Sequence, residues 1–199
     1  MIILDNVSLI TVSSTKIPET EAAIRQCLQH IRFGEVVFFT DKHVTFPRII
    51  IPEIKSKREY SYWIIHQLGK HLQTPFALIC QWDGFVVNHK AWTNEFLNYD
   101  YIGSPWPPWE DNNYRPDTVG NGGFSLRSKK LCDLVSRLAP ACFENEDRVI
   151  CEDRREQLEN QGIKFAPVKL AWQFSCENDN YEEYHSFGIH GERQRNLFM

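Results

Sequence analysis

Residues 7–40, VSLITVSSTKIPETEAAIRQCLQHIRFGEVVFFT, decide the fold class that the sequence predicts. The largely apolar run at 7–13 predicts a buried strand, and EVVFFT at 35–40 predicts a second one. Between them, residues 18–31 predict a helix, because Pro18 suits a first helical turn and apolar residues then recur at helical spacing. A strand, a helix and a strand in this order are typical of a parallel sheet covered by helices.

The segments that follow extend the same pattern. RIIIP at 48–52 predicts a short third strand, and FALICQ at 76–81 predicts a fourth. A helix is expected to begin near Ser56, since Ser56 and Glu59 have the spacing of a capping box. We therefore predict an α/β fold in a single domain, residues 1–199, with a mostly parallel central sheet flanked by helices.

The second half of the chain is less regular. Four prolines between residues 104 and 118 exclude a regular element there. The remaining segments predict three helices and two strands, before FGIHG at 187–191 closes the domain: helices at 90–97, 128–139 and 146–161, and strands at 119–128 and 163–177.

Composition argues against several classes of protein. The net charge is −4, from 22 basic and 26 acidic residues, whereas nucleic-acid binders normally carry a basic stripe. No run approaches the ~20 apolar residues of a transmembrane segment, and no signal peptide is recognisable. The six cysteines form no CxxC pair, which favours buried thiols in a reducing compartment. We expect a cytoplasmic protein, with a secreted form as the alternative.

Gln81-Trp82-Asp83-Gly84 follows the fourth predicted strand. Ligands collect at the carboxyl ends of parallel strands, and a carboxylate there can bind Mg²⁺ or Mn²⁺ together with substrate phosphates. The alternative is an ordinary surface turn, since Asp-Gly is common in turns. Asp41 ends the second predicted strand at the same expected edge.

VGNGGFSLRS at 119–128 places three glycines inside a strand-like run, which weakens a strand. Such glycines are expected where another backbone or a ligand must come close, and a β-bulge is the alternative. The sequence contains neither a GxGxxG fingerprint after a strand nor a Walker motif.

Two further candidates carry titratable side chains. Glu152 and Asp153 follow the apolar Ile150 and Cys151, and partial burial would raise the pKa of a carboxylate toward that of a general base. The alternative is an exposed helix face with Glu–Arg pairs. His190 can ligate a metal or contact phosphate, or it can have a structural role.

An aromatic loop is a candidate acceptor site. Trp106, Trp109 and Tyr114 stand among prolines and polar residues. Apolar rings with polar edges suit a saccharide, while a protein interface or a packed loop are the alternatives.

The order of these motifs resembles that of the GT-A glycosyltransferases. QWDGF, GSPWP, VGNGGFSLRS, an ED pair opening a helix and FGIHG follow a β/α nucleotide-type half in that order. More narrowly, the chain resembles the bacterial and viral branch that carries a QxDG variant of the DxD motif. The resemblance spans about residues 7–191 and is most specific in QWDG and GNGGFSLRS.

This resemblance implies a role for each matching residue. Asp83 would ligate a divalent metal, Mn²⁺ or Mg²⁺, His190 would touch metal or diphosphate, and Asp153, beside Glu152, would be the base. Gln81 stands where the family has its first acid and brings no charge, which weakens the expected metal site. The other implied contacts are Thr11, Val12, Ser13, Asp41, Gln81 and Trp82 for the nucleotide, Asn121, Gly122 and Gly123 for the donor sugar, and Trp106, Trp109 and Tyr114 for the acceptor.

The implied function is transfer of a sugar, with inversion, from a nucleotide-diphosphate sugar to a hydroxyl of a glycan or lipid-linked acceptor. A UDP-sugar is the expected donor. Residues 7–83 would form the nucleotide-binding half and 84–199 the acceptor and catalytic half. Such an enzyme is expected in the cytoplasm or peripheral to a membrane. A nucleotidyltransferase, or a non-catalytic glycan- or nucleotide-binding domain of the same fold, are the alternatives.

Overall fold

Parallel strands form the centre of the structure, a computed structural model that describes residues 1–106, 118–140, 145–177 and 185–199. The strands are β1 (Ile2–Val12), β2 (Ile31–Phe39), β3 (Arg48–Ile49), β4 (Phe76–Ile79), β5 (Gly84–Val86), β6 (Tyr101–Ile102), β7 (Ser125–Ser128), β8 (Ser175–Cys176) and β9 (Gly188–His190). Six of them form one sheet in the order β3-β2-β1-β4-β7-β6, and three form a second sheet in the order β5-β9-β8.

Short and medium helices connect these strands. The α-helices are α1 (Ile17–Leu28), α2 (Lys57–His66), α3 (Leu68–His71), α4 (Lys129–Leu138), α5 (Glu146–Arg148), α6 (Arg155–Asn160), α7 (Val168–Phe174) and α8 (Glu192–Arg195). Two 3-10 turns, His89–Ala91 and Asn94–Asn98, and one π-helical turn, Val149–Asp153, complete the helical elements of the described residues. No helix in this part of the chain is long and apolar enough to cross a bilayer.

Strand directions confirm the predicted fold class. β1 is parallel to both of its neighbours, β2 and β4, and β2 is parallel to β3. β7 is antiparallel to β4 and to β6, so the six-stranded sheet is mixed but mostly parallel. Because β7 runs the other way, its first residue lies beside the last residue of β4, where Ser125 pairs with Ile79.

Apolar clusters cover both faces of the six-stranded sheet. Leu9 and Leu78 pack in a cluster that includes the apolar residues of α1, whereas Ile10 and Ile79 pack with those of α2. Successive side chains of a strand point to opposite faces, so the two clusters lie on opposite sides of the sheet. The alternation in β1 and β4 therefore explains why helices flank the sheet on both sides.

The predicted start of α2 is confirmed in detail. Ser56 Oγ accepts a hydrogen bond from the backbone N–H of Glu59 at 3.2 Å. The Glu59 carboxylate reaches back and accepts from the backbone N–H of Lys55 at 2.7 Å. The first bond satisfies a donor that the first turn of a helix leaves without a partner, and the second holds the residue before the cap. They also fix the direction in which the chain enters α2.

Two strand predictions were too long. Within 163–177 only Ser175–Cys176 is a strand, and α7 precedes it, because buried residues recur at helical spacing after Pro167. Within 119–128 the strand begins at Ser125, and Gly122 and Gly123 before it form a turn.

The helix predictions were closer to the structure. The helix expected at 128–139 is α4. The helix expected at 146–161 is present, but a π-helical turn interrupts it between α5 and α6. The segment 90–97 forms 3-10 turns in place of an α-helix.

Candidate active site

A cleft of about 610 Å³ opens at the edge of the sheet where β1 and β4 end. Segments 12–15 and 81–83 line it, since they end or follow these two parallel strands. Residues 121–123 line it as well, because β7 is antiparallel and the chain before it reaches the same edge. Segment 54–57, at the start of α2, contributes a further wall.

The turn between β4 and β5 places Asp83 in this cleft. Gln81 and Gly84 exchange backbone hydrogen bonds of 3.0 and 3.1 Å, which leaves Trp82 and Asp83 at the tip of the turn. Asp83 is 9% exposed, and its Oδ1 has no hydrogen-bond partner among the described residues. Burial raises the pKa of Asp83, although the charge of His190 opposes this. Asp83 therefore belongs to a turn and also presents a carboxylate to the cleft.

The second sheet brings His190 to Asp83. Pairing of β5 with β9 sets Gly84 opposite His190, and the backbone N–H of Gly191 donates to the Asp83 carbonyl at 2.9 Å. His190 Nε2 lies 3.6 Å from Asp83 Oδ1, and Nδ1 lies 3.1 Å from Glu177 Oε1. Burial disfavours the charged imidazole, but the hydrogen bond and charge of Glu177, with the charge of Asp83, outweigh it and raise the pKa of His190.

Close contacts explain all three glycines before β7, since a Cβ on Gly120 would lie 1.9 Å from Trp106 Cε2. A Cβ on Gly123 would lie 2.0 Å from His190 Nε2, and one on Gly122 would lie 1.8 Å from Glu146 Oε1. Any larger residue would therefore displace side chains of the cleft. Asn121 precedes Gly122 and Gly123 with φ of 62°, a left-handed conformation that asparagine adopts more readily than most residues.

A Glu-Asp pair at 146–147 also lies in the cleft. Asp147 accepts hydrogen bonds from the backbone N–H groups of Gly122, at 3.3 Å, and Arg148, at 2.8 Å. Burial, and then the negative charge of Glu146, raise the pKa of Asp147 from its ordinary 3.8 to about 6. A carboxylate with a pKa close to neutrality is suited to accept a proton from a substrate hydroxyl.

A buried ion pair holds Glu146 in place. Glu146 Oε1 lies 3.0 Å from Arg127 Nη2, and the two side chains are 4% and 1% exposed. Arg127 Nη2 also donates to the Gly122 carbonyl at 3.3 Å. Ser61 Oγ donates to Glu146 Oε2 at 3.3 Å and accepts from the Glu146 backbone N–H at 3.2 Å. This network joins α2, β7 and α5 and fixes Asp147 beside the glycines.

The structure brings most of the predicted ligand-contacting residues to the cleft: Val12, Ser13, Gln81, Trp82, Asn121, Gly122, Gly123 and Trp106. Two predicted nucleotide contacts are not among its lining residues. Thr11 is buried in β1, and Asp41 forms an ion pair with Lys42 at 2.7 Å. Trp109 and Tyr114 lie outside the described residues.

Glu152 and Asp153, predicted to be beside the reacting groups, do not line the cleft. Asp153 is exposed, and Glu152 pairs with Arg148 at 2.8 Å. The apolar residues before them are buried, but the π-helical turn that contains all four leaves the two acids on the outside. Apolar neighbours in the sequence therefore did not mean a buried carboxylate.

Sequence patterns also missed Glu177. It follows β8 directly, but it lay inside a segment predicted to be one long strand. Had that strand been placed at its observed position, Glu177 would have been recognised as an acid at a strand end. For Asp147 the available indication was Asn145, a residue typical of helix starts, immediately before a Glu-Asp pair.

Three donor atoms in the cleft fit a divalent metal ion. Asp83 Oδ1 is buried without a hydrogen-bond partner among the described residues, His190 Nε2 lies 3.6 Å from it, and Gln81 Oε1 lies 3.4 Å from the same nitrogen. Oxygen donors with one imidazole suit Mn²⁺ or Mg²⁺. The described residues contain no group of three or more His, Cys, Asp or Glu side chains placed to hold a metal, so this donor set is incomplete without oxygens from a ligand.

The fold is similar to that of a solved glycosyltransferase. The mannosyltransferase PcManGT from Pyrobaculum calidifontis, solved in complex with GDP-mannose and Mn²⁺, matches with a TM-score of 0.51 and 11% sequence identity. The match covers 80% of this chain and 53% of that one, so the chain spans about half the length of the mannosyltransferase. At this identity the likeness shows the fold alone.

By sequence, the chain belongs to the family described as "Protein of unknown function (DUF5672)", whose model matches residues 42–190. That span contains Asp83, Asp147 and His190. No curated protein matches the chain in sequence. The narrower resemblance to the QxDG branch stays a prediction.

Proposed function

We propose that the chain is a glycosyltransferase that moves a sugar from a nucleotide-diphosphate sugar to a hydroxyl of a glycan or lipid-linked acceptor. The observation that carries this proposal is the convergence of Asp83, His190, Asp147 and the glycine segment on one cleft of about 610 Å³. A cleft of this size accommodates a small organic ligand such as a nucleotide sugar. The GT-A-type fold supports the same class of reaction.

The donor nucleotide is assigned to the part of the cleft formed by 12–15 and 54–57. These segments adjoin the carboxyl ends of the parallel strands, where nucleotides bind in α/β sheets. A uridine nucleotide is the expected donor, and a guanosine nucleotide is the second to test, because the mannosyltransferase of the same fold was solved with GDP-mannose.

Asp83 and His190 would hold Mn²⁺ or Mg²⁺, with Gln81 as a neutral donor. When bound, the metal offsets the negative charge that develops on the leaving diphosphate. Asp83 is suited to this role because it is buried and carries an oxygen without a hydrogen-bond partner among the described residues. His190 must give up its Nε2 proton to bind a metal, so protons and metal compete for this residue.

We assign the role of general base to Asp147 in place of Asp153. Asp147 would remove the proton of the acceptor hydroxyl as its oxygen attacks the anomeric carbon, and the configuration at that carbon would invert. Base assistance of this kind contributes about 10²–10⁴-fold. The backbone N–H of Gly122 holds the carboxylate beside the segment assigned to the donor sugar.

The acceptor is assigned to the side of the cleft that Trp106 lines. An indole ring offers a flat apolar surface on which the CH face of a sugar can pack. Trp109 and Tyr114 remain predicted members of this acceptor site. A cytoplasmic or membrane-peripheral location, with residues 7–83 binding the nucleotide, completes the proposal.

The test is release of nucleoside diphosphate from a panel of UDP- and GDP-sugars in the presence of Mn²⁺. We expect slow hydrolysis or transfer that Asp83→Asn abolishes. Asp147→Asn should lower turnover by about 10²–10⁴-fold while the dissociation constant of the donor changes little. Asp153→Asn is the matched control, since it removes an exposed carboxylate six residues away and should leave turnover unchanged.

Other outcomes would contradict the proposal. Binding of sugar nucleotides without turnover on any acceptor would favour a non-catalytic domain. Release of pyrophosphate from a nucleoside triphosphate would favour a nucleotidyltransferase. Full activity of the Asp147 variant with loss in the Asp153 variant would return the base to the position that sequence predicted.

A further inference from the structure

Two cations stand against the Trp82 ring at the border of the cleft. Lys16 Nζ lies 3.0 Å from the centre of the indole, and Arg195 Cζ lies 5.7 Å from it. Trp82 lines the cleft and directly precedes Asp83. The two cations come from opposite ends of the chain and are brought together at this one ring, so their juxtaposition is a product of the fold.

The backbone directs Lys16 toward this position. Lys16 follows the cleft-lining segment 12–15 and has φ of 48° and ψ of 43°, a left-handed conformation that is uncommon for lysine. It caps the start of α1 without a side-chain hydrogen bond to that helix. Strained conformations of this kind cluster at ligand sites, where the fold as a whole imposes them.

Arg195 is fixed from the other side. The backbone N–H of Gly191, which precedes α8, donates to the Asp83 carbonyl, and this bond ties α8 to the turn that holds Trp82. Arg195 Nε is buried and has no hydrogen-bond partner among the described residues. A buried charged donor without an acceptor is costly, so a ligand that supplies an acceptor would be favoured there.

Neither cation makes a close ion pair with a carboxylate of the described residues, although the charge of Lys16 acts on Asp83. In the described part of the chain, no ion pair joins Lys16 or Arg195 to an Asp or Glu side chain. The indole face, which attracts cations, is therefore their common contact. This attraction is modest at a partly exposed site, so an anion with several oxygens can replace it.

We propose that Lys16 and Arg195 form a cationic clamp that binds the diphosphate of the donor nucleotide, in addition to the metal site. This inference rests on the proposed function. Gln81 brings no charge where a second acid would strengthen a metal site, and the two cations at the Trp82 ring, next to Asp83 in the chain, supply positive charge without a metal. The guanidinium presents a fork to phosphate oxygens, and the ammonium acts as a mobile point charge.

The clamp is tested by isothermal titration calorimetry of UDP and GDP in buffer with EDTA. We expect metal-free binding, and we expect Lys16→Met and Arg195→Met each to raise the dissociation constant about tenfold or more, since each removes a charge-assisted hydrogen bond. Methionine keeps an unbranched apolar stem against the indole. Lys90→Met and Arg137→Met, which remove exposed cations elsewhere, are the matched controls.

Two further measurements separate the clamp from a structural role. The nucleotide affinity of the wild type should fall more steeply with added KCl than that of either variant, because a variant has fewer charges in contact with the ligand. Melting temperatures of the variants should stay close to wild type. Loss of melting temperature with unchanged nucleotide affinity would overturn the clamp and leave two structural cation–π contacts.

A titration with geranyl diphosphate tests whether the clamp binds the diphosphate of a lipid or that of a nucleotide. If geranyl diphosphate binds and UDP and GDP do not, the assignment to the donor is overturned, because the clamp would then serve a lipid-linked acceptor. Nucleotides that bind only with Mn²⁺, and equally well to wild type and variants, would overturn the clamp while the proposed function stands. Absence of nucleotide binding with or without Mn²⁺ would overturn both.

Discussion

Replacing Asp147 by asparagine should stabilise the fold at neutral pH while it removes the proposed base. In the folded protein, burial and the neighbouring Glu146 raise the pKa of Asp147 to about 6, from an ordinary value of 3.8. The folded state therefore holds this proton more tightly than the unfolded state. Folding is not penalised at a pH below the unfolded pKa, where both states are protonated, and the penalty grows as pH rises from there until it levels off above the folded pKa.

The size of this penalty follows from the two pKa values. A difference of about 2 units at 1.36 kcal/mol per unit gives ~3 kcal/mol above pH 7. At pH 4.5 the carboxyl is largely protonated in the folded state, and the same relation gives a penalty of about 1 kcal/mol. Asparagine carries no charge at either pH. The variant should therefore gain ~2 kcal/mol relative to wild type between pH 4.5 and pH 7.5.

Urea unfolding at a series of pH values measures this gain. The comparison of interest is the change in the free energy of unfolding with pH, because any hydrogen bond that asparagine loses to Gly122 or Arg148 contributes a constant offset. Asp153→Asn is the control, since an exposed substitution should stay within about 0.5 kcal/mol of wild type throughout.

A flat difference across this pH range would refute the reasoning. It would mean that Asp147 titrates alike in the folded and unfolded states, so it would have no raised pKa with which to act as a base. A variant that becomes less stable as pH rises would be a stronger contradiction, because the sign of the linkage would be reversed.

Three further outcomes follow from the geometry of the cleft. Glu146→Gln leaves Arg127 buried without its counter-charge and should lower the free energy of unfolding by about 3–5 kcal/mol in urea titrations; a loss below 1 kcal/mol would show that water reaches the pair. Gly123→Ala places a methyl group against His190 and should cost ~1–3 kcal/mol and weaken Mn²⁺ binding measured by calorimetry, so unchanged metal affinity would contradict the proposed ligand role. Ser56→Ala removes a helix cap and should cost about 1 kcal/mol, with a neutral result arguing against the cap.

The parallel part of the sheet could be predicted because its information is local. Segments 7–40 and 76–81 carry apolar runs, a proline at a helix start and helical spacing, and each pattern depends on neighbours in sequence. The antiparallel direction of β7 does not depend on neighbours in sequence. It depends on pairing of Ser125 with Ile79, 46 residues earlier, and no pattern within 119–128 specifies that direction.

The candidate site was predictable where a residue follows a strong strand, as Asp83 does. The choice between Glu146-Asp147 and Glu152-Asp153 was not predictable, because it rests on tertiary burial. Glu146 is buried by Arg127, which is distant in sequence, whereas the apolar residues before Asp153 face the core and leave that acid exposed. The sequence contains the same dipeptide at both of these places, and a third time at 110–111.

The ion pair of Arg127 and Glu146 also determines how the elements around the cleft unfold. Its members come from β7 and α5, and Ser61 of α2 completes its hydrogen bonding. Detaching β7 or α5 would leave one charge of the pair without its partner, at a cost on the order of 3–5 kcal/mol, and detaching α2 would remove the hydrogen bonds of Ser61. Partly opened forms should therefore be scarce. Heating should abolish ligand recognition and tertiary order in one cooperative transition, with no inactive but otherwise folded species preceding it.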